Sequence, residues 1–352
     1  MSRVLVTGAA GFIGSRVVAA LHRRGHDVVG VDAMVPSAHA PGTQPPPGVA
    51  VIDIADADAL SPLLDGVDVV SHQAALVGMG HGFLDAPAFA RHNDLGTAGL
   101  LATMAESGVG TLVLASSMVV YGNGSHLTSS GEAMSEPAPR RTDDLTRGQF
   151  EHVGPDGCPT QWAPTSEDAP LIPHNHYAAS KAAQEHYVRA WASCVGGSAI
   201  ALRYHNVYGP NMPRDTPYAG VASIFRSALA AGRAPTVFED GGQTRDFVHV
   251  DDVAEANALA VEAALGNASG SYLPLNIASG HPITIGEVAH TLSECVPGPQ
   301  PSINCEFRVG DVRHVVADPA RAAQILGFRA RIAPSEGLRA FATEPLRVAA
   351  TT

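Results

Sequence analysis

The run Val4-Leu5-Val6-Thr7-Gly8-Ala9-Ala10-Gly11-Phe12-Ile13-Gly14 governs how the rest of the chain is read. Its first four residues are apolar or β-branched and predict a short strand. Gly8, Gly11 and Gly14 follow at intervals of three, merging into a helical pattern of Phe12, Ile13, Val17, Val18 and Leu21. Glycines between a strand and a helix let the backbone turn tightly and approach a pyrophosphate, which then rests on the helix N-terminus, where free N–H groups and the dipole favour an anion. The next β-branched run, Val28 to Val31, ends in Asp32, 18 residues beyond Gly14. A carboxylate at that distance accepts hydrogen bonds from the adenosine ribose and repels a 2′-phosphate, so the pattern predicts NAD rather than NADP.

Outward from this unit, strands are predicted at 49–52, 67–71 and 111–115, with helical stretches at 57–64 and 84–106 between them. Such alternation predicts an α/β fold, a Rossmann-type doubly wound parallel sheet with helices on both faces. Ligands of these sheets bind at the carboxyl ends of strands. Asp53 and Ile54 follow the third strand and are read as the adenine rim; Ala74 and Ala75 follow the fourth and are read as close packing against the cofactor. Ordinary loop chemistry accounts equally well for each.

Ser116 and Ser117 end the fifth strand, and Tyr177 and Lys181 open a helical run from Ala178 to Trp191. Residues four apart share one face of a helix about one turn apart. An ammonium beside a phenol favours the phenolate and lowers a pKa that is about 10 unperturbed, and an oxidised nicotinamide adds positive charge in the same direction, so Tyr177 is expected to act as a base near neutral pH. The bland alternative is an exposed i,i+4 pair.

With Gly8, Gly11, Gly14, Ser117, Tyr177 and Lys181 in place, the chain resembles the extended short-chain dehydrogenase/reductase family over about residues 2 to 330. The resemblance implies that Ser117 is the catalytic hydroxyl, Tyr177 the acid/base, and Lys181 the holder of the nicotinamide ribose. Asn93 matches the family's helix asparagine that shapes the site. The implied cofactor-binding set is Gly8, Gly11, Phe12, Ile13, Gly14, Asp32, Asp53, Ile54, Ala74, Ala75, Asn93 and Ser116, with Tyr177 and Lys181.

Later segments resemble the nucleotide-sugar epimerase/dehydratase branch, closest to the dTDP-L-rhamnose and UDP-sugar 4-epimerases: Arg203 to Pro210, Pro217 to Ser223, Val237 to Gly241, Arg245 to Val253, and Arg308 to Arg313. The resemblance implies that Asn206, Arg245 and Arg308 hold a diphosphate and Asp311 a nucleoside ribose, with Val237, Ser117 and Tyr177 also against the substrate. Guanidinium forks suit phosphate oxygens and carboxylates suit sugar hydroxyls. Surface salt bridges are the competing reading of each arginine. Dehydrating relatives carry an Asp-Glu pair after the catalytic hydroxyl and decarboxylating ones a glutamate; here Met118 and Val119 follow, which favours hydride removal and return at C4. Val315 aligns where UDP-galactose epimerases often place a large residue that limits the sugar pocket.

Composition sets the outer limits. The 352 residues are 45% hydrophobic and 16% charged, ordinary for a globular chain, with no apolar run of membrane-spanning length. A net charge of −12 without basic clusters argues against nucleic acid as a partner. Four scattered cysteines suggest neither a disulfide framework nor a zinc site, and the early first strand leaves no room for a leader, so a cytoplasmic location is expected. Ser117 and Tyr177 stand 60 residues apart, more than the resemblance requires, which places a proline-rich insertion at about 123–173 with three arginines against eight carboxylates. A lid over the sugar or an oligomer contact is expected of it.

The resulting expectation is a dinucleotide domain over 1–206 and 244–277 and a smaller C-terminal α/β substrate lobe over 207–243 and 278–345. NAD is the cofactor, a dTDP- or UDP-sugar the substrate, no metal is required, and a homodimer is implied by the resemblance alone. A 4-ketoreductase with the same Ser-Tyr-Lys set, or an NAD-binding scaffold without chemistry, are the competing functions.

Overall fold

The computed structural model describes residues 1–36, 38–40, 42–78, 82–134, 136–214 and 220–347. Pro217, Tyr218 and Ala219 of the substrate motif, and the terminal Ala349 to Thr352 expected to fray, lie outside the described residues. Seven parallel strands form the main sheet: β1 (Arg3–Thr7), β2 (Asp27–Asp32), β3 (Val49–Val51), β4 (Val69–His72), β5 (Thr111–Ser117), β6 (Ser198–Tyr204) and β7 (Ser271–Ile277). Their order is β7-β6-β5-β4-β1-β2-β3. Strand order reverses between β1 and β4, which opens a crevice at their carboxyl ends.

Helices α1 (Phe12–Arg23) and α4 (Val250–Ala264) cover one face of this sheet, and α2 (Gly96–Glu106) and α3 (His176–Val195) the other. Val17 and Leu21 of α1 pack with Val253 and Val261 of α4 in the first core. Leu100, Met104, Val188 and Trp191 fill the second. β6 is buried at all seven positions. It does not follow from the sequence pattern, because a strand covered on both faces lacks the alternation that marks a half-exposed one; β7, an edge strand buried only at Leu275, Asn276 and Ile277, is not among the predicted strands either.

The expected continuous helix at 84–106 is broken into a 3₁₀ turn (Phe83–Asp85), one α-turn (Ala86–Phe89), a π-helical stretch (Ala90–Leu95) and α2. Widened π turns recur at functional sites, and this one carries Asn93.

A second, four-stranded sheet joins Asn206–Tyr208, Thr244–His249, Pro282–Thr284 and His314–Val315. Its core gathers Tyr208, Phe225, Phe247 and Phe341 beneath helices at 221–230, 285–294 and 334–341. Thr244–His249, assigned from sequence to the dinucleotide domain, pairs instead within this small sheet, and its chain then enters α4. The insertion folds as three short antiparallel strands, Ser125–Leu127, Ala133–Met134 and Gln161–Ala163. It is anchored to the small lobe rather than left as a free lid: Arg140 pairs with Glu239 at 2.8 Å, and Glu151 accepts from Arg313 and His314.

α3 is tied to the sheet by a buried ion pair. Arg203 on β6 donates from Nη2 to Glu185 Oε2 at 2.7 Å and from Nε to Oε1 at 2.9 Å. The Tyr272 hydroxyl adds a 2.7 Å bond to Oε2, and the Ser116 hydroxyl also donates to Glu185. Both charges are at most 3% exposed, so removing one strands the other. Glu185→Leu is expected to cost about 3–5 kcal/mol of unfolding free energy, measured by urea denaturation.

Candidate active site

A cavity of about 390 Å³ lies along the carboxyl ends of the central strands. The glycine turn forms one wall. Gly8 has φ +66°, and a Cβ there would meet the Ala74 backbone nitrogen at 2.8 Å. A Cβ on Gly14 would lie 2.0 Å from the Gly8 carbonyl oxygen. Only glycine therefore closes this turn, as the sequence spacing requires. Gly11 caps α1 without any side-chain hydrogen bond, so the first turn of the helix keeps its N–H groups for an anion.

Asp32 ends β2 and is 7% exposed. It accepts from the backbone nitrogens of Ala10 at 3.0 Å and Met34 at 2.9 Å, and His39 Nε2 stands 3.4 Å away. Burial works to raise its pKa, but the His39 and backbone bonds hold it below the usual carboxylate range. A permanently ionised carboxylate beside an anion-binding turn suits the ribose hydroxyls of an unphosphorylated dinucleotide. The residues present thus fit NAD.

The opposite wall carries Ser117, Met118, Val119, Tyr177 and Lys181. Asn175 caps α3 by accepting from Ala178 N at 2.8 Å, which sets the register that brings Tyr177 to the strand end. Lys181 is 3% exposed and donates to the Ala115 carbonyl oxygen at 2.9 Å. Burial pushes the Tyr177 phenol up to about 12, relieved only by its hydrogen bond with Ser117. Burial likewise brings Lys181 down to about 7, opposed by Glu185. The lysine alone does not acidify the phenol, because both groups are desolvated together and the ammonium is turned to a carbonyl.

Several other assignments take a different form. Asn93 is fully buried, with Oδ1 accepting from Leu76 N and Nδ2 donating to Leu76 O and Ser180 Oγ. Its amide is committed to the protein, so it shapes the cavity through Leu76 rather than by touching a cofactor. Ser116 lines the cavity, but its hydroxyl is committed to Glu185. Ala75 lines the cavity as well, whereas Ala74 packs against Gly8 and donates its N–H to Thr7 Oγ1. Asp53 caps Ala55 N and faces Arg91 at 3.5 Å, and Ile54 packs against Gly96; neither lines the cavity. Val237 is wholly buried in the small-lobe core, where no side-chain contact with substrate is open to it. Val315 packs with Val120, Tyr121 and Ala182 behind the catalytic strand end, outside the cavity lining.

Asn206 lines the cavity with a buried Oδ1 that has no partner. Beyond it lie Arg245, Arg308 and Asp311. The Arg245 guanidinium donates to the carbonyls of Arg313 and Val312, and burial brings it down to about 10, opposed by Asp311 and Glu239. Burial raises the Asp311 carboxyl, against the charges of Arg308, Arg245 and Arg140. Exposed Arg308 lies over the Phe238 ring at 5.0 Å and lines a second cavity of about 540 Å³ with Asn304 and Phe307. Sequence reasoning missed Arg140, which reaches from the insertion to the Asp311 carbonyl at 2.7 Å. No motif contains it. Among the described residues no group of His, Cys, Asp or Glu is placed to hold a metal ion.

A doubly wound sheet with a glycine-turn cofactor wall facing a Ser-Tyr-Lys wall defines a dinucleotide-dependent oxidoreductase site. The family model of the NAD dependent epimerase/dehydratase family matches residues 4–143 and 152–278, and the chain belongs to that family. It is 31% identical to a dTDP-L-rhamnose 4-epimerase from Burkholderia thailandensis, covering 96% of this chain and 93% of that one. It is 32% identical to a UDP-glucose 4-epimerase from Mycolicibacterium smegmatis, covering 96% of each. In structure it is similar to a UDP-glucose 4-epimerase from Thermotoga maritima solved with UDP-glucose, at TM-score 0.77, 27% identity and 97% coverage of both chains. A Thermus thermophilus UDP-glucose 4-epimerase in complex with NAD gives TM-score 0.74 at 29% identity, again covering 97% of both.

Two histidines beneath the site make it acid-sensitive. His72, bonded to Thr7 Oγ1 and Thr97 Oγ1, is brought down to about 3 by burial and then by Lys181. His152 in the insertion is brought down to about 4 by burial. Each stays neutral when folded, while the unfolded chain takes up a proton near pH 6.5. Stability therefore falls as pH drops from about 6.5 toward 4, by up to about 1.4 kcal/mol per pH unit for each group. Urea unfolding at pH 7, 6 and 5 is expected to show this slope, and His152→Gln to flatten it.

Proposed function

We propose that the protein is an NAD-dependent nucleotide-sugar 4-epimerase. The observation that carries this reading is the single cavity in which Ser117, Tyr177 and Lys181 face the glycine turn, with Met118 and Val119, not acids, following the serine. Carboxylates there would direct elimination or carboxylate loss; apolar side chains leave only proton exchange at a sugar hydroxyl for the protein to perform. NAD, when bound, supplies the two-electron oxidation of C4 and its reversal, together with positive charge beside the phenol.

The chain's own part is orientation and proton handling. Tyr177 exchanges a proton with the C4 hydroxyl and Ser117 bridges the two oxygens. Lys181, anchored on Ala115, adds charge beside the phenol and holds the nicotinamide ribose. With its pKa raised by burial, Tyr177 is a proton donor until positive charge arrives, which suits the return half of the cycle. Asn206, Arg245 and Arg308 hold the diphosphate and Asp311 the nucleoside ribose; the orphan Asn206 Oδ1 and the basic groups gathered round Asp311 support this. The substrate lobe is the region around the small sheet, and the sugar nucleotide is a dTDP- or UDP-sugar, since the relatives divide between these two.

A cytoplasmic homodimer completes the reading. Among the described residues no helix is long and apolar enough to cross a membrane. Leu95, 57% exposed at the start of α2, and Val195, 48% exposed at the end of α3, supply apolar surface for such pairing.

Purified protein is expected to retain NAD(H) and to interconvert C4 epimers with none added when offered UDP- and dTDP-sugars, the products being separated by chromatography. A stoichiometric requirement for added NAD(P)H would replace this reading with a ketoreductase. Tyr177→Phe is expected to lower turnover by about 10²–10⁴-fold while NAD is retained; single-turnover rates and cofactor content measured on one preparation check both.

A further inference from the structure

Arg347 belongs to no motif, yet it enters the dinucleotide end of the cavity. After the helix at 334–341 the chain runs on along the small lobe and is fastened to it. Arg226 donates to the carbonyls of Phe341 and Glu344, and Asn211 N donates to the Pro345 carbonyl at 2.7 Å. Arg347 N then donates to Met212 O at 3.1 Å, and Pro213 and Arg347 form a parallel bridge. A backbone held at Pro345 and at Arg347 itself fixes where this side chain can reach.

It reaches the glycine turn. Nη1 donates to the Ala10 carbonyl oxygen at 2.9 Å, and the side chain lines the cavity beside Gly11 and Phe12. Among the described residues the Nε atom, itself buried, has no hydrogen-bond partner, although the side chain as a whole is half-buried. An unmet buried donor is costly, and the fork geometry of arginine matches the oxygens of a phosphate. Burial lowers the Arg347 pKa, while the ionised Asp32 supports its charge. Asp32 already accepts from Ala10 N and Met34 N and faces His39. Among the described residues no hydrogen bond joins Arg347 to Asp32, and with Nη1 on Ala10 the Nε donor remains for a second anion at the uncapped end of α1.

We infer that Arg347 is a cofactor-binding residue, a C-terminal strap whose guanidinium holds the pyrophosphate of the dinucleotide together with the N-terminal turn of α1. The assignment rests on the reading of this cavity as the NAD site. It makes cofactor retention depend on the packing of the tail against residues 211–214, far in sequence from the glycine turn.

The test compares full-length wild type, Arg347→Gln and Arg347→Lys by co-purified NAD content and by calorimetric titration of nucleotide-stripped protein with NAD, adenosine, ADP and adenosine 2′,5′-bisphosphate. Arg347→Gln is expected to weaken NAD and ADP by about 10–100-fold, to change adenosine by less than about 3-fold, and to lose co-purified NAD. Arg347→Lys restores part of the ADP affinity. Unchanged melting of the stripped variants shows that the tail still folds. Equal losses for adenosine and ADP, or no loss for ADP, overturn the assignment, as does a larger loss for the 2′,5′-bisphosphate than for ADP, which would place the guanidinium at the ribose. A wild type that binds neither NAD nor ADP sinks the cofactor reading itself, whereas normal wild-type binding with an unaffected Arg347→Gln sinks only the strap.

Discussion

The architecture of the site depends on one buried polar face of α3. Lys181, Gln184 and Glu185 point into the protein, each at most 3% exposed, and each finds its partner on a different element. Lys181 reaches the Ala115 carbonyl on β5, Gln184 the Thr97 hydroxyl on α2, and Glu185 the guanidinium of Arg203 on β6. Buried charges and amides without partners cost several kcal/mol. Sliding or rotating the helix by one residue would orphan all three, so the register of α3 is specified, and Tyr177 one turn earlier is delivered to the end of β5 as a consequence. In this sense Tyr177 is positioned mainly by the buried partners of Lys181, Gln184 and Glu185.

The same burial sets the electrostatic character of the cavity. Desolvation moves the Tyr177 phenol up and the Lys181 ammonium down, so burial disfavours the charged form of each. Along the substrate end, three arginines converge on Asp311, and Asn206 turns an unsatisfied oxygen into the cavity. Polar groups held in place but unsatisfied are preorganised for a ligand, because the free energy of ordering them is already met by the fold. A net acidic protein binds an anionic sugar nucleotide through such local sites and not through its overall field.

The insertion adjoins this machinery from the side. Arg140, Glu239, Arg313 and Glu151 form a continuous charged network between the three-stranded insertion and the small lobe. Glu239 takes a positive φ of +54° there, a conformation most residues avoid, and its carboxylate bridges Arg140 and Arg313. Against the burial that would raise it, His314 and Arg313 hold the Glu151 carboxyl down at about 2. The segment between Ser117 and Tyr177 thus serves as a brace on the small lobe, tied to it by these ion pairs and by Ala169 and Leu171 packed in the cluster that holds Val315.

Local pattern determined the parts of this protein governed by short-range geometry. The glycines at 8, 11 and 14 are required by backbone approach within one turn, the acid at 32 by its place at a strand end, and Tyr177 and Lys181 by a single helical turn; each is legible in a window of a few residues. Tertiary structure alone decided the remainder. It assigned the strand β6, whose uniform burial erases periodicity, and the edge strand β7, and moved Thr244–His249 into the small sheet. It turned Asn93 and Val237 inward, raised the tyrosine that spacing alone suggested would be acidic, and brought Arg140 and Arg347 to a site from which they are remote in the chain. Desolvation and long-range pairing depend on which segments meet, and no stretch of residues carries that information until the chain is folded.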